Sequence, residues 1–329
     1  MNCRRSRPER ALGPTGQIGA ETSSRGTVAT GKGVALPRTA LAGNPSDGYG
    51  GAVLSTTFFN FRAEVEAHAQ QGRTEPPSEL LDAALRRFVR EVEPAAENAR
   101  LRWRTSIPRA VGLGGSSALV IAALRALSDL HRSQLALDRV AALALAVERE
   151  DLGIIVGRQD QLVQSQERPM LMDFARERID PLEPALLPPL LVAFRPRTAQ
   201  DSGLALAPLR ARFDRGERAA TDAIDELATA AREAYEALRR RDVARFAACV
   251  DETFDVRARV LPLEPEHVAM IEHARACGAA ANYTGSGGAI ICVCREPEAM
   301  ERLAVGLREL GCETLVPALG SSRDGAAGH

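Results

Sequence analysis

The chain has 329 residues, of which 45% are hydrophobic and 26% charged. These proportions exclude a wholly disordered or collagen-like chain and fit one large domain or two ordinary ones. Its 42 basic and 43 acidic residues leave a formal net charge of −1, so charge gives no argument for binding nucleic acid or an anionic membrane. Lys32 is the only lysine, which nearly excludes chemistry that requires a lysine, such as a Schiff base.

The six cysteines are scattered and are too few for a disulfide-stapled secreted domain. No stretch approaches the roughly 18 apolar residues of a membrane helix. The first residues also lack the apolar core of a secretory signal. We expect a cytoplasmic protein, monomeric or homodimeric, that binds neither nucleic acid nor membranes.

The N-terminal half begins with residues 1–33, which are rich in Gly, Ser, Thr and Arg, show no hydrophobic period and predict a disordered extension. Apolar runs and helical periods then predict a mixture of strands and helices. The predicted strands cover residues 34–42, 52–55, 57–62, 101–106 and 170–174. The predicted helices cover residues 78–92, 117–131 and 138–150. Residues 158–169 are predicted as a loop.

Four prolines between Pro181 and Pro189 predict a linker, which divides residues 34–185 from a second domain over residues 186–320. Residues 321–329 are predicted as a tail. In the second domain the predicted strands cover residues 190–194, 289–295 and 314–318. The predicted helices cover residues 217–240, 242–258, 265–277 and 297–310. This order of strands and helices predicts a small α+β sandwich.

The segment Pro108–Ala118 joins a predicted strand to a predicted helix and contains several glycines, followed by Ser116 and Ser117. Glycines let the backbone approach a ligand closely, and the free N–H groups of a first helical turn favour a phosphate. The serine hydroxyls can ligate Mg²⁺ or a phosphate oxygen. The loop is neither a Walker A motif, which needs a lysine, nor an intact dinucleotide motif. A tight turn with serine caps accounts for it equally well.

Two further loops are rich in glycine and polar residues. In the first, residues 43–51, the side chains of Asn44, Ser46 and Asp47 are suited to bind sugar hydroxyls, although turn formation alone also accounts for them. The second covers residues 283–289 and precedes a buried strand. Three such loops at strand ends, in both halves, suggest a phosphate-bearing ligand held between the domains.

These three loops resemble the three motifs of the GHMP kinases. The central family motif, P-x-x-x-G-L-x-S-S-A, is matched here by Pro108, Gly112, Leu113, Ser116, Ser117 and Ala118, with the extra residue Gly115. The resemblance covers most of residues 34–318. It implies an N-terminal domain like domain 2 of ribosomal protein S5 and a ferredoxin-like C-terminal domain.

Within this family, four segments resemble the glucuronokinases. They are residues 43–51, 158–161, 201–203 and 251–257. The resemblance implies ATP-dependent phosphorylation of the anomeric hydroxyl of D-glucuronate, with ATP and Mg²⁺ as cofactors.

The resemblance also implies roles for individual residues. The ATP phosphates are expected at Gly112, Leu113, Gly114, Gly115, Ser116, Ser117 and Ala118. Ser117 is expected to help hold Mg²⁺, and Asp160 to accept or orient the proton of the attacking hydroxyl. Without the resemblance, Asp160 is better interpreted as an exposed loop acid. Contacts with the substrate are expected from Arg38, Asn44, Ser46, Asp47, Tyr49, Thr284, Gly285, Ser286 and Gly287. Arg158, like Arg38, is a candidate for binding a phosphate or carboxylate.

Three alternatives stay open. One is a kinase of the same fold acting on another sugar, such as a heptose, fucose or galacturonate. Another is a sensor of the same fold that binds ATP or sugar without turnover. A nucleotide-dependent oxidoreductase is disfavoured, since it lacks an intact G-x-G-x-x-G motif.

Overall fold

The structure, a computed structural model, describes residues 29–196, 202–294 and 296–320. Strands and helices mix throughout these ranges, which confirms the predicted α+β class. The strands are β1 (Thr30–Ala35), β2 (Arg38–Ala42), β3 (Ala52–Thr57), β4 (Ala63–His68), β5 (Arg100–Thr105), β6 (Met170–Asp173), β7 (Arg178–Pro181), β8 (Leu190–Phe194), β9 (Ala280–Tyr283), β10 (Ala289–Val293) and β11 (Glu313–Leu315). The helices are α1 (Glu79–Glu91), α2 (Gly115–His131), α3 (Leu137–Ala146), α4 (Gln159–Gln166), α5 (Ser202–Asp214), α6 (Arg218–Arg239), α7 (Val243–Val260), α8 (Pro265–Ala276) and α9 (Pro297–Glu309). Among the described residues, none of the helices combines the length and apolar character that a membrane crossing demands.

Two antiparallel sheets build the N-terminal half. One has the order β1-β4-β5 and the other the order β2-β3-β6-β7. Helix α2 packs on β1 and β4, and α6 packs on β3. Helix α2 is apolar on most of its surface, with Ile121, Leu124 and Leu127 fully buried, because it lies in the interior of this half.

The C-terminal half has one antiparallel sheet in the order β11-β8-β10-β9. Its connectivity is strand, helices α5–α8, strand, strand, helix α9, strand, which is the ferredoxin-like pattern with extra helices in the first connection. Helix α6 and strand β8 belong to one apolar core with the N-terminal sheets. The domain boundary near residue 185 stays a prediction.

The first strand begins earlier than predicted. Residues 30–33 belong to β1 and pair with β4. The predicted disordered extension over residues 1–33 is therefore wrong for these last four residues. Residues 1–28 and the predicted tail over residues 321–329 lie outside the described residues. A Cβ atom on Gly33 would lie 2.0 Å from the carbonyl oxygen of Ala122 in α2. Glycine therefore lets β1 lie directly on α2. Pro37, which has no N–H to donate, separates β1 from β2.

Three elements differ from the prediction for identifiable reasons. The strand predicted at residues 57–62 lies instead at Ala63–His68, where buried and more exposed residues alternate. Helix α4 lies where a loop is predicted, because its sequence is mostly polar and has no clear apolar period. Helix α3 ends at Ala146 and continues as one π-helical turn over Val147–Asp151, a feature frequent at functional sites.

Candidate active site

A cavity of about 610 Å³ opens between the glycine-rich loop before α2, the start of α4 and the turn after β2. Most of the predicted site residues line it: Arg38, Asn44, Asp47, Tyr49, Gly112, Leu113, Gly114, Gly115, Ser116, Ser117, Asp160, Gly285 and Ser286. The others, which do not line it, are Ser46, Ala118, Thr284 and Gly287. The fold thus brings the three glycine-rich loops together around one space.

The glycine-rich loop is held by backbone contacts. Gly114 has φ 72° and precedes the first residue of α2, and no side chain of the described residues caps that helix. Its first-turn N–H groups are therefore available to a phosphate. A Cβ atom on Gly112 would lie 2.7 Å from the carbonyl oxygen of Gly287, and the hydroxyl of Thr284 donates to the carbonyl of Gly112 at 3.0 Å. Glycines are needed here because the two loops pack backbone to backbone.

Asp160 lies in the first turn of α4 and forms a bidentate ion pair with Arg38. Arg38 Nε donates to Asp160 Oδ1 at 2.6 Å, and Nη2 donates to Oδ2 at 2.7 Å. Arg38 Nη1 donates to the carbonyls of Gly112 and Thr284. Four of the five donors of the guanidinium are thus used within the protein. Arg38 therefore acts first as the partner of Asp160, with one donor left for a substrate.

Glu148 is a site residue that the sequence analysis misses. It lies in the π-helical turn after α3, is almost fully buried and lines the cavity. Its carboxylate accepts from the hydroxyl of Ser117 at 3.0 and 3.1 Å and from the side-chain amide of Gln161. Burial, followed by the nearby charge of Asp160, raises the pKa of Glu148 to about 7. No basic side chain of the described residues pairs with it.

Asp47 is also buried, and its carboxylate caps the start of α4. Oδ2 accepts from the backbone N–H groups of Arg158 at 2.8 Å and Gln159 at 3.2 Å. A Cβ atom on Gly157 would lie 1.8 Å from the same oxygen, so this approach requires glycine. Burial, and then the charge of Asp160, raises the pKa of Asp47 to about 6. Asp47 thereby fixes the position from which Asp160 projects.

Several residues that are expected to bind ATP or substrate have internal contacts. Ser46 is buried, and its hydroxyl donates to the carbonyl of Ala52 at 2.6 Å, so this hydroxyl is used within the protein; a contact of Ser46 with substrate stays a prediction. Ala118 is also buried as part of α2. The Asn44 amide donates to the carbonyl of Tyr283 at 3.1 Å and accepts from Asn282 at 2.9 Å. These contacts hold the first loop against β9.

Residues outside the predicted set complete the wall, together with Tyr49 and Asp47 of that set. An apolar part is formed by Leu80, Trp103, Ile107 and Leu119. A polar part is formed by Tyr49, Arg210 and Arg257 together with Asp47. The guanidinium of Arg210 lies 4.3 Å from the centre of the Tyr49 ring. Arg158 is not part of this wall; its guanidinium stacks on Phe174 at 4.4 Å.

Comparisons with known proteins agree with this arrangement. The family model of the GHMP kinases N-terminal domain matches residues 79–166, and that of the GHMP kinases C-terminal domain matches residues 234–311. Glucuronokinase 1 of Arabidopsis thaliana is 30% identical over 320 residues, which cover 83% of this chain and 88% of that protein. A probable glucuronokinase 2 of the same plant is 30% identical over 312 residues, covering 81% and 85%.

Solved structures show the same fold at low identity. Galactokinase of Lactococcus lactis, solved with galactose, has a TM-score of 0.75 at 14% identity, covering 89% of this chain and 94% of that chain. Mevalonate kinase of Methanococcus jannaschii has a TM-score of 0.70 at 15% identity, covering 90% and 100%. These matches confirm the fold expected from the three loops. The chain therefore belongs to the GHMP kinases, a family of small-molecule kinases.

Proposed function

We propose that the protein transfers a phosphoryl group from ATP to the anomeric hydroxyl of D-glucuronate. The observation that carries this proposal is the Arg38–Asp160 pair, which faces the same cavity as the glycine-rich loop. It is supported by the two relatives named as glucuronokinases, each 30% identical to this chain.

The cavity offers separate environments for the parts of ATP. The uncapped N-terminus of α2 and the loop Gly112–Ser117 suit the phosphates, because N–H groups and the helix dipole favour negative charge there. The apolar part of the wall, which includes Leu80 and Trp103, suits the base.

The residues around Ser117 fit a magnesium ion. Hydroxyl and carboxylate oxygens are the ligands that Mg²⁺ prefers. Glu148 is a buried carboxylate without a basic partner among the described residues, so a cation would neutralise it. We assign Ser117 and Glu148 as the residues that hold the ion. When bound, Mg²⁺ would neutralise charge on the transferred phosphoryl group.

Asp160 then serves the acceptor. Its carboxylate is fixed by Arg38, and its side chain keeps 22% of its surface exposed, so an oxygen can accept the proton of the attacking hydroxyl. Phosphoryl transfer depends mostly on positioning and charge neutralisation. In this proposal Arg38 and Asp47 supply the positioning of Asp160, and α2 supplies the fixed dipoles.

A coupled assay of ADP release tests the proposal. D-Glucuronate, D-galacturonate, D-glucose, L-fucose and a heptose are compared as acceptors, with Mg²⁺ and ATP present. We expect the highest kcat/KM with D-glucuronate and a product whose phosphate is on C1 by NMR. A higher kcat/KM with another sugar would reassign the substrate, and ATP binding without ADP release from any acceptor would favour a sensor.

A further inference from the structure

The guanidinium of Arg257 is buried in the cavity wall and has no ion-pair partner among the described residues. Arg257 lies on α7, is 1% exposed and lines the cavity. Its hydrogen bond within the described residues is a long one, 3.4 Å from Nη1 to the carbonyl oxygen of Asn44, and its Nε has no acceptor there. None of the described carboxylates lies within ion-pair distance of it. A buried charge without a partner is costly, and a ligand of opposite charge would remove that cost.

The other arginines of the cavity wall do not share this state. Arg38 is paired with Asp160, and Arg210 lies 3.6 Å from Asp214. Arg109 is exposed to water. Arg257 is therefore the arginine of this wall whose charge is both withdrawn from water and unpaired within the described chain.

The surroundings of Arg257 place it in the polar part of the wall rather than at the glycine-rich loop. It donates to Asn44 of the first loop, and its guanidinium lies 5.1 Å from the centre of the Tyr283 ring in β9. Tyr283 in turn packs edge-on against Phe254 and His267. These contacts hold the guanidinium in one orientation, which reduces the entropy lost when it binds a ligand.

We propose that Arg257 binds the carboxylate of the sugar substrate and so selects a uronate over a neutral sugar. The guanidinium matches a carboxylate bidentately, and a neutral sugar would leave the buried cation unpaired. This inference rests on the proposed function, because it assumes an acceptor that carries a carboxylate. Burial also lowers the pKa of Arg257 to about 10, which leaves it charged at neutral pH.

The test compares the ratio of kcat/KM for D-glucuronate to that for D-glucose in variants. Arg257→Met removes the charge and should lower this ratio roughly 10²–10³-fold. Arg257→Lys keeps the charge but loses the planar fork, and should lower the ratio less. Arg259→Met is the matched control on the same helix, because Arg259 is exposed and pairs with Glu226; its ratio should not change.

A binding measurement keeps the test independent of turnover. D-Glucuronate should raise the melting temperature of the wild-type protein and of Arg259→Met, but not that of Arg257→Met. If wild-type protein prefers glucuronate while Arg257→Met retains that preference, the inference is wrong and the proposed function stands. If Arg210→Met loses the preference instead, the carboxylate site lies there. If the wild type favours glucose or a sugar 6-phosphate over glucuronate, the proposed function itself fails.

Discussion

Replacing Asp160 with asparagine keeps the shape of the side chain but removes its charge. In the wild-type protein, Arg38 makes hydrogen bonds of 2.6 and 2.7 Å to the two carboxylate oxygens, and asparagine can accept only one of them. A charge-assisted hydrogen bond contributes about 1.5–3 kcal/mol. Arg38 would also stay buried without a counter-charge. Since Asp160 is partly exposed, we expect a loss of about 2–4 kcal/mol of unfolding free energy, just below the range for a fully buried pair.

The same change should lower kcat about 10²- to 10⁴-fold, the usual contribution of a general base. The matched control is the double variant Arg38→Met with Asp160→Asn. It removes the unpaired cation together with the carboxylate, so it should regain most of the lost stability without regaining kcat. Urea unfolding measures the stability, and single-turnover ADP release at saturating sugar measures the rate.

Three outcomes would refute this reasoning. If Asp160→Asn keeps kcat within about tenfold of wild type, Asp160 does not take the proton and catalysis rests on positioning. If the double variant regains both stability and kcat, the single variant fails because its cavity is distorted. Loss of Mg²⁺–ATP binding with intact sugar binding would instead make Asp160 a metal ligand.

Three further predictions follow from the described contacts. Glu148→Gln and Ser117→Ala should each raise the Mg²⁺ concentration needed for half-maximal rate about tenfold or more, while sugar binding measured by calorimetry stays unchanged. The folded pKa of Asp47 is raised to about 6 from a usual 3.8, so the contribution of Asp47 to stability falls by about 2 kcal/mol as the pH rises from 4 to 7. Urea unfolding at pH 4 and 7 should show that stability relative to Asp47→Asn declines by this amount, and a constant difference would contradict it. Gly33→Ala places a methyl carbon 2.0 Å from the Ala122 carbonyl oxygen and should lower the unfolding free energy by about 1–3 kcal/mol. An unchanged midpoint of urea unfolding would argue against tight packing of β1 on α2.

The loops around the cavity could be predicted from the sequence because their chemistry is local. Glycines and serines at a strand-to-helix junction are typical of a phosphate-binding turn, and α2 begins at Gly115, two residues before the predicted start. The convergence of the Gly112 and Gly285 loops, which touch through their backbones, followed from the family resemblance. Their spacing in sequence, 173 residues apart, carries no such information by itself.

Other residues could not be recognised because their properties come from distant parts of the chain. Glu148 stands beside the exposed Arg149 and Glu150, and nothing local shows that the π-helical turn directs it towards Ser117. Arg257 is one arginine among many, and only the packing of α7 against the first loop and β9 buries it. Burial that arises from tertiary contacts has no short sequence signature.

Helix α4 accounts for how these distant residues form one site. Its polar side chains each bind a different part of the cavity: Gln159 binds Asp47 and Ser55, Asp160 binds Arg38, Gln161 binds Glu148, and Gln164 binds the carbonyls of Leu36 and Gly114. An apolar helix face would tolerate small shifts, since hydrophobic contacts are non-directional, whereas hydrogen bonds fix both distance and angle. A polar α4 therefore sets Asp160, Glu148 and the glycine-rich loop in register before any ligand arrives. The same property removes the apolar period from its sequence, which is why a helix so central to the site is predicted as a loop.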